Sequence, residues 1–352
     1  MLLTTQLEVI MSLGWGILGT GAIAERAIGP ALSRAANTKL VAVCDCDMER
    51  AKSFAAKYRV ERYYDSLEKM LGDPELNVLF IATPNSQHAQ QTIQAAEAGK
   101  HVLCEKPMAL TVPDCELMIQ ACNKNKVKLG IDFQVRYHPA HIEARRYIQS
   151  GMVGEINVAK AQMCSGHDRG HWKGRGWQGW RNDPSIGGAG ALVGMGVHAI
   201  DLLRFLLDSE VEEVRALTDE EPPRYPVDDM DYVIIKFESG VHGVVISGVL
   251  APRSDNDLVL YGSKAKITGK GTVESSLLGE LLVEGDSFNM RMTFPCDDPI
   301  PALYTRLLEA FNRCIEEDTK PEVSGHDGLE MVRVVNAILE SSRQGKAIKI
   351  TR

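Results

Sequence analysis

Short apolar runs alternate with amphipathic stretches through the first third of the chain. WGILG (15–19), KLVAVCD (39–45), VLFIAT (78–83), HVLCEKP (101–107) and KLGIDF (128–133) are compact and mostly bounded by Gly, Pro or Asp. Runs of that kind read as buried strands. Between them, 22–36, 48–58, 88–98 and 113–125 read as helices. Strand–helix alternation predicts a parallel sheet with helices on both faces, whose ligands bind beyond the carboxyl ends of the strands. After about residue 135 the rhythm changes. A helix over 140–150 leads to strand-like EINVAKAQM (155–163), an irregular Gly/Trp/Arg/His segment (165–181), a glycine cluster (187–196) and a helix over 197–207. Strand candidates follow one another at 211–217, 231–237, 241–248, 257–261 and 265–268, before helices at 300–317 and 327–343. The second part is therefore expected to be an α+β domain with an open mixed or antiparallel sheet.

Length and composition narrow the classes. At 352 residues the chain exceeds one core. Apolar residues at 44% and charged residues at 24% are ordinary for a globular protein. A net charge of −8 argues against nucleic acid or an anionic membrane as partner, because both need a basic face. No apolar stretch is read as approaching the roughly 18–20 residues that span a bilayer. The first twelve residues, MLLTTQLEVIMS, lack the basic start and cleavage site of a secretory signal. They are expected to be a flexible tail, with Met11 an alternative start. Eight cysteines without a C-x2-C pair read as reduced thiols, hence a cytoplasmic protein.

Chemistry enters at Gly19-Thr20-Gly21-Ala22-Ile23-Ala24, which follows the first strand and opens the first helix. This is the G-x-G-x-x-A dinucleotide fingerprint: a tight turn, a close approach of backbone to pyrophosphate, and close helix–strand packing. The second strand ends in Asp45, 26 residues after Gly19. A carboxylate there accepts from ribose hydroxyls and repels a 2′-phosphate, so NAD is expected and NADP is less favoured. The expected organisation is a tail (1–12), a Rossmann doubly wound dinucleotide-binding domain (13–135) and a substrate-binding and oligomerisation α+β domain (136–352).

The order of GILGTGAIA, AVCD, IATPNSQHA, EKP and WR…GG…GVHAID resembles the Gfo/Idh/MocA oxidoreductases, the glucose–fructose oxidoreductase and inositol dehydrogenase family, over nearly the whole chain. The resemblance implies that Lys106 of Glu105-Lys106-Pro107 lies beside the carbon that exchanges hydride and assists proton transfer. It also places Thr83, Pro84, Asn85 and His88 along the cofactor, Glu105 facing the ribose, and Trp180 and Arg181 near the cofactor. A dimer or tetramer made by pairing open sheet faces is implied in the same way.

One position departs from that family. An acid usually stands four residues before the histidine that is His198 here, and this chain has Gly194. His198 is expected to act as general acid/base, since an unperturbed imidazole titrates at about 6.5. Asp201 reads as a structural or orienting partner, and Asp183 as a candidate replacement for the missing acid. Gln134, Arg136 and Tyr137 follow the last strand of the first half and are expected to meet substrate, with Tyr304 reaching in from the C-terminal helix. The loop 166–181 brings Trp172 and Trp177 as surfaces for a sugar ring, either as a lid or toward a neighbouring subunit. His167-Asp168-x-x-His171 has no third ligand, so no metal is expected.

The function expected is hydride transfer between NAD(H) and a hydroxyl-bearing carbon of a sugar, sugar acid or cyclitol. Two alternatives stay open: a glycosidase or lyase that oxidises its substrate transiently and keeps its NAD, and a non-catalytic dinucleotide sensor.

Overall fold

Six strands, β1 (Leu13–Leu18), β2 (Thr38–Cys44), β3 (Arg62–Tyr64), β4 (Val78–Ile81), β5 (His101–Cys104) and β6 (Leu129–Ile131), pair in parallel in the order β3-β2-β1-β4-β5-β6. That is the Rossmann order, with the chain reversing direction across the sheet between β1 and β4. The computed structural model describes residues 12–165, 179–219 and 226–352. The tail 1–11 and the loop residues Trp172 and Trp177 lie outside them. The strands are apolar without alternation because helices cover both faces; β4 is buried at every position. The expected first helix (22–36) is helical from residue 22 to 32 and stops four residues short; within it Ala24–Ile28 forms a π-turn that runs into Gly29–Leu32, where Gly29 and Pro30 break the regular ladder.

The second sheet has nine strands: β7 (Ile156–Cys164), β8 (Val211–Thr218), β9 (Met230–Phe237), β10 (His242–Gly248), β11 (Leu258–Gly262), β12 (Ala265–Lys270), β13 (Glu280–Gly285), β14 (Phe288–Thr293) and β15 (Ile348–Lys349). Their order is β14-β13-β12-β11-β7-β10-β9-β8-β15. β7 and β10 pair in parallel and the other neighbours are antiparallel, so the sheet is mixed. One face carries the buried alternate residues Val233, Ile235, Val245, Ala159 and Leu260, against which helix Val197–Leu207 lies. The other face carries exposed Val158, Leu217, Tyr232, Ile234, Val244 and Tyr261.

The apolar run Pro184–Leu207 is long and apolar enough to cross a bilayer, contrary to the reading from sequence. Its most apolar window is 83% buried inside the protein, so its apolarity belongs to the core.

After β14 the chain returns to the first sheet. Helix Pro299–Glu316 leaves the second sheet and covers the first: Trp15 Nε1 donates to Asn312 Oδ1 at 3.0 Å, and the Trp15 and Phe311 rings meet edge-on at 6.0 Å. A Cβ at Gly130 would stand 2.7 Å from Phe311, so β6 takes a glycine where this helix crosses it. Helix Gly325–Gln344 then packs against both helix Val112–Lys124 and β8. The eight cysteines are unpaired, and most are buried.

Candidate active site

The first half of the site is the turn after β1. Gly19 takes a φ of +95° and a Cβ there would come within 2.6 Å of the Ala82 carbonyl, so only glycine fits. Beside Gly21 a Cβ would meet nothing closer than 3.9 Å, at the Arg50 guanidinium, which leaves the backbone open to a ligand. Asp45 braces this turn: its Oδ2 accepts from both the Thr20 N–H and the Thr20 hydroxyl at 2.8 Å. Burial alone would raise the Asp45 pKa, but the hydrogen bonds from Thr20 and Asp47 and the nearby Arg50 outweigh it and hold the carboxyl below its ordinary value. Open backbone at Gly21, the N-terminus of a helix and a stably ionised carboxylate together suit a pyrophosphate and its ribose.

The second half comes from the π-turn Leu192–Gly196, which opens helix Val197–Leu207. Lys106 reaches across from the end of β5. Its Nζ donates to the Gly194 carbonyl at 2.7 Å and the Val193 carbonyl at 3.1 Å. Main-chain oxygens thus face the ammonium at Gly194. Burial lowers the Lys106 pKa to about 8; Arg181 adds to the shift, while Glu105 and Asp132 oppose it.

His198 begins the helix beside Lys106, buried, its ring edge-on to Phe133 at 6.1 Å. Its Nδ1 has no hydrogen-bond partner. Burial, with the charge of Lys106, pushes its pKa well below 6.5. The histidine is therefore neutral, which corrects the expectation that it titrates near neutrality. Both turns open onto one cleft of 840 Å³ between the two sheets, lined among others by Ala22, Ile23, Thr83, Asn85, Glu105, Lys106, Trp180, Arg181, His198 and Tyr304.

Residues 13–133 match the oxidoreductase family model with the NAD-binding Rossmann fold, and residues 141–268 match the GFO/IDH/MocA C-terminal domain. The chain belongs to the Gfo/Idh/MocA oxidoreductases. It is 28% identical to the 1,5-anhydro-D-fructose reductase of Ensifer adhaerens, over 96% of this chain and 98% of that one. It is also 28% identical to the levoglucosan dehydrogenase of Pseudarthrobacter phenanthrenivorans, over 85% and 86% of the two chains. Among solved structures, the aldose-aldose oxidoreductase from Caulobacter crescentus complexed with glycerol superposes with a TM-score of 0.85 at 28% identity, covering 96% of this chain and 99% of that one. A levoglucosan dehydrogenase complex with NADH superposes at 0.84 with 25% identity, covering 97% and 99%. As a member of this family the chain is an NAD-dependent oxidoreductase.

Several expected site residues lie elsewhere. Arg136 does not line the cleft: its guanidinium grips Asp201 through two bonds of 2.6 and 2.7 Å and reaches Asp327 at 2.9 Å. It is a buried tie between the helices that carry those acids, and Asp201 serves it rather than His198. Tyr137 is buried beside Glu322, away from the cleft. Asp183 caps the short helix Pro184–Gly187, accepting from Ser185 N–H at 2.9 Å and the Ser185 hydroxyl at 2.7 Å, and it does not replace the missing acid. His88 is fully buried between the carbonyls of Pro107 (2.8 Å) and Thr83 (3.0 Å), tying the two strand-end loops together. Pro84 also lies off the cleft lining. Asn85 lines the cleft and donates to the Gly187 carbonyl at 2.8 Å, linking the halves. Gln134 stands just behind the lining, donating at 3.1 Å to both Ser275 and Tyr304, which do line it. The Arg181 guanidinium stacks on Trp180 at 4.2 Å.

Other residues of the site escaped sequence reasoning. Arg26, Arg253, Ser254, Asn256, Glu274 and Ser275 line the cleft, and all but Arg26 come from loops of the second sheet. Asp228 braces the π-turn by accepting from Gly190 N at 2.8 Å and Leu192 N at 2.6 Å. Asp132, buried behind Lys106, was visible as the one carboxylate in the apolar run KLGIDF.

Proposed function

We propose that this oxidoreductase acts on a hydroxyl-bearing carbon of a sugar, sugar acid or cyclitol, with Lys106 handling the hydroxyl proton and neutral His198 orienting that hydroxyl. One observation carries the reading: an ammonium with a pKa near 8 is held by two carbonyls at the meeting of the two halves, next to an imidazole with an unpartnered nitrogen. Bound NAD supplies the hydride acceptor. Lys106 in its neutral form accepts the proton as the carbonyl forms, and the carbonyls of Val193 and Gly194 stabilise the resulting ammonium. The polyhydroxylated ligands named for its relatives support the substrate class. Trp180 with its stacked Arg181 is suited to a sugar ring at the cleft wall.

The test is NADH formation across sugars, sugar acids and cyclitols. Lys106→Ala is expected to lower kcat by about 10²–10⁴ while leaving NAD binding in place. Tight NAD binding with no turnover on any member of the panel would refute the reading.

The exposed apolar face of the second sheet supports a homodimer or homotetramer. Tyr232, Ile234 and Val244 lie on adjacent strands, and Leu217 and Tyr261 extend the patch to both sides. A patch this large asks for cover. Ile234→Glu is expected to shift the species seen by light scattering to the monomer; an unchanged mass would place the interface elsewhere.

A further inference from the structure

Behind Lys106 two carboxyl groups meet with nothing to hold them apart or together. Glu105 follows β5 and Asp132 follows β6, and the strands are in register, so Asp132 N donates to the Cys104 carbonyl at 2.8 Å. Asp132 is 1% exposed. Glu105 Oε2 accepts from the Lys106 N–H at 3.2 Å. Glu105 Oε1 has no donor; Asp132 lies near the Gln134 N–H, but neither of its oxygens makes a hydrogen bond of ordinary geometry, and Oε1 of Gln134 is also without a donor. Ionised carboxylates only accept, so two of them side by side are satisfied only when one carries a proton and becomes a donor. Among the described residues, the charged and titratable groups facing the pair are Lys106, Arg181, Tyr304 and the buried Cys104 thiol, with Arg26 reaching Tyr304 and His198 facing Lys106. Burial raises both acids, but Lys106 and Arg181 draw Glu105 back toward ionisation, whereas burial and the charge of Glu105 drive Asp132 far upward.

We propose that Asp132 and Glu105 hold one proton between them, resident on Asp132, and that Asp132 is thereby a positioning residue that keeps Glu105 ionised beside Lys106, in the role vacated at Gly194. Protonated Asp132 donates to Glu105 Oε1. Glu105 keeps its negative charge in a buried place, and that charge keeps the Lys106 ammonium accessible near neutral pH. The proton on Asp132 is not transferred during turnover; it stays within the pair. The inference rests on Lys106 being the proton-handling group, but its first readout needs no substrate.

The infrared difference spectrum of the protein without ligands at neutral pH, wild type minus Asp132→Asn, should show the C=O stretch of a protonated carboxylic acid, which removes any contribution from the buried Asp231. Asparagine presents an N–H where protonated Asp132 presents an O–H, so the acid limb of the kcat/KM profile in Asp132→Asn should superpose on wild type. In Asp132→Ala, Glu105 Oε1 has no donor, and Glu105 takes up the proton itself. Lys106 then loses its counter-charge, and the limb moves to lower pH by about one unit, a tenfold change in the neutral fraction at a fixed pH below it. If no substrate turns over, the pH dependence of Lys106 acylation, followed by mass spectrometry, reports the same titration. Thermal midpoints and NAD titrations confirm that each variant is folded, and the isosteric asparagine suffices if the alanine variant is not. No acid band in that difference spectrum overturns the proposal. So does a downward shift in Asp132→Asn, which is the result expected if Asp132 is an ionised carboxylate whose charge is being removed.

Discussion

Two turns build this cleft, and they are the same device run in opposite polarity. The turn after β1 and the turn before His198 are both glycine-rich, both pass through a π-turn, and both are braced by a buried aspartate that takes two donors from the turn. At the first, Asp45 leaves the open backbone of Gly21 and the helix N-terminus to an anion. At the second, Asp228 fixes the turn through its N–H groups, so that the carbonyls of Val193 and Gly194 are left for a cation, Lys106. Backbone dipoles thus supply charge complementarity on both sides of the cleft, and at Gly194 it is peptide oxygens that meet the ammonium.

That symmetry can be broken from either side. The largest effect is expected from Asp228→Ala. It strips two buried N–H groups of their acceptor, which costs about 1–3 kcal/mol, and it frees the turn that holds Lys106. A shift of about an ångström there is worth roughly a hundredfold in kcat, with KM for NAD little changed. Stopped-flow and thermal denaturation together check it, and a full-rate enzyme would dissolve the comparison. Next in size is the pH response. Lys106 accepts a proton only when neutral, so oxidation should rise about tenfold per unit below pH 8 and level above it. Reduction, which needs the ammonium, should fall as pH rises through the same value. A limb near 10 in initial-rate profiles would mean that the two carbonyls face a fully solvated amine. The smallest effect belongs to the other turn. Asp45→Asn keeps one acceptor for Thr20 and is expected to raise KM for NAD about tenfold while kcat stays within about twofold. Loss of kcat instead would show that the two braces do not divide binding from chemistry.

How much of this the chain announces depends on where each residue finds its partner. β1, β2 and β4 are legible because sheets covered on both faces need unbroken apolar runs, and the glycines of the first turn lie within six residues of one another. β3 (RYY) and β14 (FNMRMT) escaped because edge strands carry polar and long flexible residues. Arg136 was misread for a different reason. A guanidinium after a strand suits a cleft or an ion pair equally well, and its partners Asp201 and Asp327 lie 65 and 191 residues away. The carbonyls that hold Lys106 carry no signature at all, since every residue has one. Only the absence of an acid at Gly194 hinted that something else was there.

The return of the C-terminal helix to the first sheet bears on modularity. Phe311 fills the space over Gly130, and Asn312 answers the Trp15 indole while reaching the Thr38 hydroxyl at 2.8 Å. A chimera that transplants residues 12–135 alone would open this seam, leaving an indole N–H unpaired and Gly130 bare on β6. The cofactor half is thus heritable as a unit only together with residues 299–316. Two cuts do not free it, because after that helix the chain returns to the second sheet as β15, so recombination that respects the fold must excise residues 299–316 from within the second half.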